Sequence, residues 1–581
     1  MSRKSGAYHR PVNRTLPKNA DLAAQFDLLA DLMELQGGDS FRVGAYRKAA
    51  ARIRETSSSV AQLALDGRAK ELQGIGKTIE EKIVQAVEDG EVHVLTKRKT
   101  EVPPEVATFI RLPGLGPKTA RRLWHELGIT TVAALRAAAE GHELRSISGI
   151  GPKLEERILE ELAKPQAVDE PYRALLGRAL PKLRAVAADV AAHPAAVRVS
   201  IAGSARRYRE TVRDLDLIAT ATDAQALLDA FCSFPWVVEV AAKGETKATV
   251  VAHDGLRYDL RVVPPECYGN LLQHFTGSAA HNIALREAAV RRGLSVSEYG
   301  IAEIESGEVH AFATEEEVYA FLGYAWIPPE LRENGGELDA ARNGGLPRLV
   351  ELADLRGDLH THSTWSDGKD TLEAMVSRAV EKGYAYYAVC DHSHRLRDDR
   401  LARQAEEIDA LNELVPLRVL KGLEVNIRTT GELDVRDEEL AGLDWVVASV
   451  HSSFDKSPTE RVLAAMENPY VDCIGHLTGR KIGKRAPSEV NVERVIEKAL
   501  ETGTFLEINS QPDRLDLRDV HARAAREAGL KLVIDSDAHQ LAALDYVELG
   551  VGQARRAWLT KEDVLNTHTW KQVQRLRKRR A

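Results

Sequence analysis

Between residues 357 and 540, short apolar runs end one after another in histidine or acid, and that recurrence restricts the fold more than any other feature of the chain. Asp358-Leu359-His360-Thr361-His362-Ser363 puts two imidazoles on one strand face, because side chains two apart on a strand point the same way. Ser366-Asp367-Gly368 follows in a turn. Tyr386-Tyr387-Ala388-Val389 leads into Cys390-Asp391-His392-Ser393-His394, and Trp445-Val446-Val447-Ala448 into Ser449-Val450-His451. Glu424 follows Gly422-Leu423, His476 follows Gly475, and Leu532-Val533-Ile534 ends in Asp535-Ser536-Asp537-Ala538-His539. A lone histidine at a strand end is usually structural. Repeated with acidic partners at the C-terminal ends of successive strands, with helices between, such residues describe a (β/α) barrel whose open face carries a metal or catalytic cluster.

A second constellation lies upstream. Val212-Arg213-Asp214-Leu215-Asp216-Leu217 reads as the start of a buried strand with both carboxylates on one face, and Leu256 to Val263 as a strand carrying Asp259. Three carboxylates at one point repel each other unless cations separate them, and two Mg²⁺ or Mn²⁺ ions bridging a triphosphate are the usual reason for such a cluster. The preceding turn, Gly203-Ser204-Ala205-Arg206-Arg207, offers backbone N–H groups and guanidinium forks suited to phosphate.

A third pattern occurs three times: Gly74-Ile75-Gly76-Lys77, Gly114-Leu115-Gly116-Pro117-Lys118 and Gly149-Ile150-Gly151-Pro152-Lys153, each opening a helical run. Paired glycines permit a tight turn into a helix N-terminus, where free N–H groups and the helix dipole attract phosphate. An ordinary glycine-rich turn would explain one copy, but not three with a lysine each. The pattern is similar to the helix-hairpin-helix, which grips the DNA backbone without reading sequence.

Gly203-Ser204-x-Arg206-Arg207, Asp214-x-Asp216, Asp259-x-Arg261 and Phe275-Thr276-Gly277-Ser278 together closely resemble the family X DNA polymerases. The resemblance covers nearly the whole chain. It implies that Asp214, Asp216 and Asp259 hold two metal ions, Mg²⁺ or Mn²⁺, with Asp259 also activating the primer 3′-hydroxyl. It further implies that Gly203, Ser204 and Arg207 hold the triphosphate, and that Phe275, Gly277, Asn282 and Arg286 line the nucleotide. Phe41 to Ala50 resembles the family's DNA-end-binding domain, and its lyase register falls on Lys82, a nucleophile only if its pKa is lowered. Neighbouring Glu80 and Glu81 oppose that lowering. The C-terminal part resembles the PHP (polymerase and histidinol phosphatase) domain, a distorted seven-stranded barrel. That likeness assigns the ligands His360, His362, Asp367, His392, Glu424, His451, His476, Asp537 and His539, holding up to three metals. A mixed imidazole and carboxylate shell suits Mn²⁺, Zn²⁺ or Fe better than Mg²⁺.

Three positions break the family pattern. Tyr208 and Arg213 stand where relatives have glycines that approach phosphate or take a positive φ, so a crowded triphosphate and weakened dNTP use are expected. His274 replaces the aromatic residue that helps exclude the ribose 2′-hydroxyl, which predicts relaxed sugar discrimination.

The fold expected is multidomain α/β. Residues 1–95 form a lyase-like helical domain with the first helix-hairpin-helix, and 96–168 a helix-hairpin-helix subdomain. A polymerase beta-like nucleotidyltransferase palm follows at 169–265 and a thumb at 266–335, then a glycine-rich linker at 336–353 and the (β/α)7 PHP barrel at 354–581. No apolar run approaches membrane-spanning length, no apolar stretch follows the N-terminus, and the four scattered cysteines read as reduced. A cytoplasmic, nucleoid-associated monomer acting on gapped or primer–template DNA and dNTPs, with no membrane partner, is the expectation. The net charge of −8 is an average over local basic loops. The basic end from Lys571 to Arg580 reads as a solvated tail, with DNA contact as the alternative. Function is expected to be gap-filling polymerisation in repair with 3′–5′ exonuclease. The rivals are a repair nuclease with a weak polymerase, and a non-catalytic DNA-end scaffold.

Overall fold

The computed structural model describes residues 16–56, 59–72, 74–110, 112, 115–163 and 173–578. Two compact units result, Met1–Tyr172 with Gln225–Leu260, and Arg173–Ala224 with Arg261–Ala581. The expected palm, 169–265, is thus shared between them.

In the first unit, helices from Asn19–Leu35 to Pro152–Ala163 bury one apolar core that includes Phe26, Ile83, Phe109 and Leu123. Ile75, Leu115 and Ile150 anchor the three glycine turns from below, each donating its N–H to the residue three earlier at 3.0–3.1 Å. Gly74 (φ +90°) and Gly149 (φ +99°) take left-handed backbone that a side chain would strain. Gly76 and Gly116 cap the helices Lys77–Asp89 and Pro117–Leu127, and Gly151 immediately precedes Pro152–Ala163. Lys77, Lys118 and Lys153 are exposed beside these turns. Gly114 lies outside the described residues. The unit also contains an antiparallel hairpin, Val237–Lys243 with Lys247–Ala252, and Asp259 on the strand Arg257–Val262.

In the second unit, Ala196–Ile201 pairs antiparallel with Asp214–Ala221. Thumb helices Tyr268–Thr276 and Ala279–Val290 follow, and a three-stranded antiparallel sheet begins at Leu294. Seven parallel strands then form the barrel: β1 (Gly357–Thr361), β2 (Tyr386–Val389), β3 (Arg418–Asn426), β4 (Trp445–Ser449), β5 (Cys473–Ile474), β6 (Phe505–Asn509) and β7 (Leu532–Asp535). Neighbours in sequence are neighbours in the sheet. First and last strands meet through one bridge, Thr361 with Ala538, where the His362 N–H donates to the Ala538 carbonyl at 2.8 Å. Six of the seven strands are buried along their whole length, and β3 along most of it, as expected of parallel strands covered by helices.

Two expectations are corrected here. Residues 336–353 are not a spacer. They carry the helix Glu337–Arg342, and Ala341 and Leu349 are buried with thumb residues Leu285 and Tyr319 and barrel residue Trp558. Glycines mark the turns of this segment, but its apolar residues decide its packing. The basic end is not a free tail over its described length either. Helix Trp570–Leu576 packs Trp570 against Tyr386, and Arg577 donates to buried Asp472 at 2.8 Å. Arg579 and Arg580 lie outside the described residues.

Candidate metal centre and nucleotide-binding palm

The barrel brings all nine histidines and acids together at the C-terminal ends of its strands. His362, Asp367, His392 and His539 present ligand atoms within 4.8 Å of one another, as do His360, His362 and Asp537, and His392, Glu424 and His451. His476 joins through Nε2, 3.2 Å from Glu424. Two carboxylates sit at the centre. Glu424 faces His360, His451 and His476 with one oxygen and His362 and His392 with the other, while Asp537 Oδ1 faces His360, His362 and His539.

The electrostatics fit cations. Burial pushes the His362 and His476 imidazoles down to about 3, holding them in the neutral form that ligates metal. Burial alone would raise the Glu424 carboxyl, but the surrounding imidazoles of His451, His360 and His392 hold it well below the usual range. His360 Nε2 and Glu424 Oε1 are buried without a hydrogen-bond partner, an arrangement that costs free energy unless a cation sits between them. The residues therefore fit a multi-metal site.

Outer partners aim the ligands, and none of them stood out in sequence. Glu507 Oε1 accepts from His360 Nδ1 at 2.6 Å, Asn426 Oδ1 from His451 Nδ1 at 2.7 Å, and Asn509 donates to Asp537 at 2.9 Å. Such contacts fix ring orientation and tautomer. The only legible signal was their alternation with ligands or their place at the same strand ends. Access is from the rim, where Asp367, His539 and His451 retain 48%, 32% and 28% exposure against 0% for His360.

In the palm, Asp214 and Asp216 are half-buried on one face of their strand while Leu215 and Leu217 are buried behind it. Gly203 (φ +62°) passes so close that an added Cβ would lie 1.9 Å from Asp216 Oδ2, so only glycine fits. Ser204 is half-buried in the same turn. Asp259, in the first unit, accepts from the Thr249 hydroxyl.

The paired arginines divide. Arg206 is structural, binding Glu315 through both terminal nitrogens at 2.7–2.9 Å. Arg207 donates to Glu333 at 3.0 Å and to the Thr276 carbonyl beside Gly277. Asn282 bridges Gln273 and the His274 carbonyl, Arg286 donates to His274 Nδ1 at 3.1 Å, and Phe275 lies under Arg261. Lys82 is half-buried on its helix, and nearby Glu80 accepts from the Lys70 backbone at 2.9 Å.

The two substituted glycines behave differently from the expectation. Tyr208 keeps the left-handed backbone (φ +53°) but its ring packs on Gly552 of the barrel helix Val547–Arg556, where an added Cβ would lie 2.2 Å from the ring. Its hydroxyl donates to Glu548 and its carbonyl accepts from Gln553. The side chain is taken up by the barrel rather than by the phosphate turn. Arg213 pairs with its neighbour Asp214, Nε to Oδ2 at 2.7 Å.

A nucleotidyltransferase palm and thumb continued into a metal-binding (β/α)7 barrel is the class these elements define. The DNA polymerase beta thumb family matches residues 271–333 and the PHP domain family residues 358–511. The Helix-hairpin-helix domain and SAM-like Helix-hairpin-helix tandem families match 17–92 and 106–164. The chain is 39% identical over 573 residues to the DNA polymerase/3′-5′ exonuclease PolX of Bacillus subtilis (strain 168), covering 96% of this chain and 99% of that protein. It is 32% identical to a probable phosphatase of Thermoanaerobacter sp. (strain X514), over 37% of this chain and 91% of that one. DNA polymerase lambda of Rattus norvegicus is 24% identical over 54% of this chain and 56% of its own length. This chain belongs to the PolX family, the family X DNA polymerases that carry a C-terminal PHP domain.

Proposed function

We propose that the chain fills short gaps in DNA and trims 3′ ends, using separate metal sites for the two reactions. At the palm, Asp214, Asp216 and Asp259 hold Mg²⁺ or Mn²⁺. Asp259 draws the proton from the primer 3′-hydroxyl, while Ser204 and Arg207 steady the departing pyrophosphate of a dNTP. Phe275, Gly277, Asn282 and Arg286 position the incoming nucleotide. The exposed lysines and glycine turns of the helix-hairpin-helices hold the DNA backbone.

In the barrel, the nine ligands would hold up to three Mn²⁺, Zn²⁺ or Fe ions, whose chemistry would be to acidify a water and offset the charge of the phosphodiester. His362 and His476, held neutral by burial, would be ligands, as would the central carboxylates Glu424 and Asp537, and the rim residues Asp367, His539 and His451 leave room for the strand end. The observation that carries this reading is the convergence of the nine ligands in a chain similar to PolX over 96% of its length. Among the described residues no helix is long and apolar enough to cross a membrane. A monomer in the cytoplasm, at the nucleoid, suits the activity. Lys82, on the helix Lys77–Asp89, is the lyase nucleophile of the same repair role.

The test is a gapped, 5′-labelled primer–template with Mn²⁺, with and without dNTPs. Extension with dNTPs and shortening without them is the expected result. A second reading, a repair nuclease with a weak polymerase, draws on Arg213 at Asp214 and Glu333 at Arg207. Shortening alone would favour it. Binding of the DNA with neither reaction would leave the scaffold.

A further inference from the structure

Two loops, after β5 and β6, gather cations beside the metal-binding rim, and the loop after β4 adds an aromatic ring. Arg480-Lys481-Ile482-Gly483-Lys484-Arg485 folds back on itself, with Lys481 and Arg485 bridged antiparallel. Together with Glu210, Ala486 and Pro487 it lines a cavity of about 380 Å³. Arg480 is spent on structure, donating to Glu210 at 2.8 Å and to the carbonyls of Arg514 and Leu515. Lys481 is half-buried and pairs with Asp513 at 2.9 Å. Arg485 Cζ lies 3.9 Å from the ring centroid of Phe454, three residues beyond His451, its Nε donates to the Gly479 carbonyl at 2.8 Å, and Gly479 (φ +59°) makes room for that ring. No carboxylate pairs with Lys484 or Arg485 among the described residues.

Arg514 ties this loop to the cluster. Its side chain is 14% exposed, and its Nε lies 3.8 Å from Asp537 Oδ2, beyond hydrogen-bond reach. That Nε is buried with no acceptor. A buried guanidinium N–H left unmatched costs free energy, so the position calls for an oxygen acceptor. Crowding points the same way. Burial and the neighbouring Arg514 push both Lys481 and Arg485 below their usual ranges, a strain that an anion among them would relieve.

We infer that Arg514, Lys481, Lys484 and Arg485 form a backbone-binding lip for single-stranded DNA, seating the phosphodiesters next to the one held in the metal cluster. Arg514 takes the phosphate nearest Asp537, and the loop follows the strand outward across Arg485. The identity of the strand as the nuclease substrate rests on the 3′-trimming reading above.

The test separates binding from cutting. An oligothymidylate with a photoreactive 4-thiothymidine at its 3′ end is crosslinked to the full-length protein in EDTA, and the labelled peptides are identified by mass. The lip predicts crosslinks within 451–457, 478–487 and 511–516, at least ten-fold reduced in Lys481→Ala/Arg485→Ala and in Arg514→Ala. With Mn²⁺, each cation removed should also flatten the salt dependence of kcat/KM for shortening by about 0.7 in log–log slope. Lys484→Ala, fully on the surface, gives the same slope change without risk to folding. Crosslinks confined to the helix-hairpin-helix peptides, or variants with wild-type crosslinking, would overturn the lip. Crosslinking at the lip by a protein that never shortens DNA would reject the trimming reading while leaving the lip in place.

Discussion

Tyr208 donates its hydroxyl to Glu548 at 2.6 Å, joining the phosphate-side turn of the palm to a helix of the PHP barrel. Arg184 binds the same carboxylate at 2.9 Å, so the contact is a charge-supported network. Tyr208→Phe should lower stability by about 1.5–3 kcal/mol, the size of a hydrogen bond to a charged group. Tyr208→Gly should lose more and should not improve dNTP use. Chemical denaturation and primer-extension kinetics check both; a several-fold gain in kcat/KM for dNTP in Tyr208→Gly would place the ring in the nucleotide pocket after all.

Glu333 holds Arg207 at 3.0 Å and also accepts from Arg556, which has a second carboxylate in Asp519. In the proposed function Arg207 holds the triphosphate, and Glu333 occupies that guanidinium. Glu333→Gln should therefore lower KM for dNTP about three- to ten-fold with little change in kcat, because it weakens a competing ground-state contact. Arg207→Ala should move KM the other way. Equal KM values in wild type and Glu333→Gln would show that Arg207 does not have to leave its partner.

Separate sites predict separable losses. Asp214→Ala and Asp259→Ala should abolish extension and leave 3′ shortening, whereas His360→Ala and Asp537→Ala should do the reverse. Metal analysis of the wild type should find more than one Mn, Zn or Fe per chain, and fewer in the two barrel variants. Loss of both activities in a folded Asp259→Ala protein would contradict two independent sites.

Glu507 accepts from His360 Nδ1, a proposed metal ligand, and is not itself among the nine. Glu507→Gln should reduce metal affinity or shortening about 10–100-fold by releasing the His360 ring, with extension unchanged. Titrating shortening with Mn²⁺ distinguishes the two routes, since restored activity at high Mn²⁺ indicates weakened affinity.

Glu315 sets a pH dependence of stability. It is buried, which alone would raise its pKa, yet Arg332 and Arg206 pull the carboxyl down to about 2. A carboxyl depressed in the folded state stabilises fully above its unfolded value near 4.5, and that contribution fades as pH falls toward 2. Its size is on the order of 3 kcal/mol. Stability of the wild type should fall between pH 5 and 2.5, and Glu315→Gln should be less stable at pH 6 with a flatter profile. Parallel profiles would move the acid sensitivity elsewhere.

The ligand-bearing ends of β1 to β5 and of β7, the glycine turns and the Asp214–Asp216 pair were all readable in the sequence. Each depends on local rules: two-residue alternation on a strand, the chain reversal that glycine permits, and carboxylate or imidazole at strand ends. Spacing alone could not reveal what lies across space. Glu507 reaches His360 from 147 residues away, Glu333 meets Arg207 across 126, and Glu548 meets Tyr208 across 340. Tyr208 in a glycine position looked like an obstruction because the sequence shows a bulky residue but not the space made for it by Gly552. The segment 336–353 looked like a spacer because its glycines are conspicuous and its buried partners lie in the thumb and barrel. Local chemistry is written along the chain; the burial and distant charge that tune it exist only once the chain is folded.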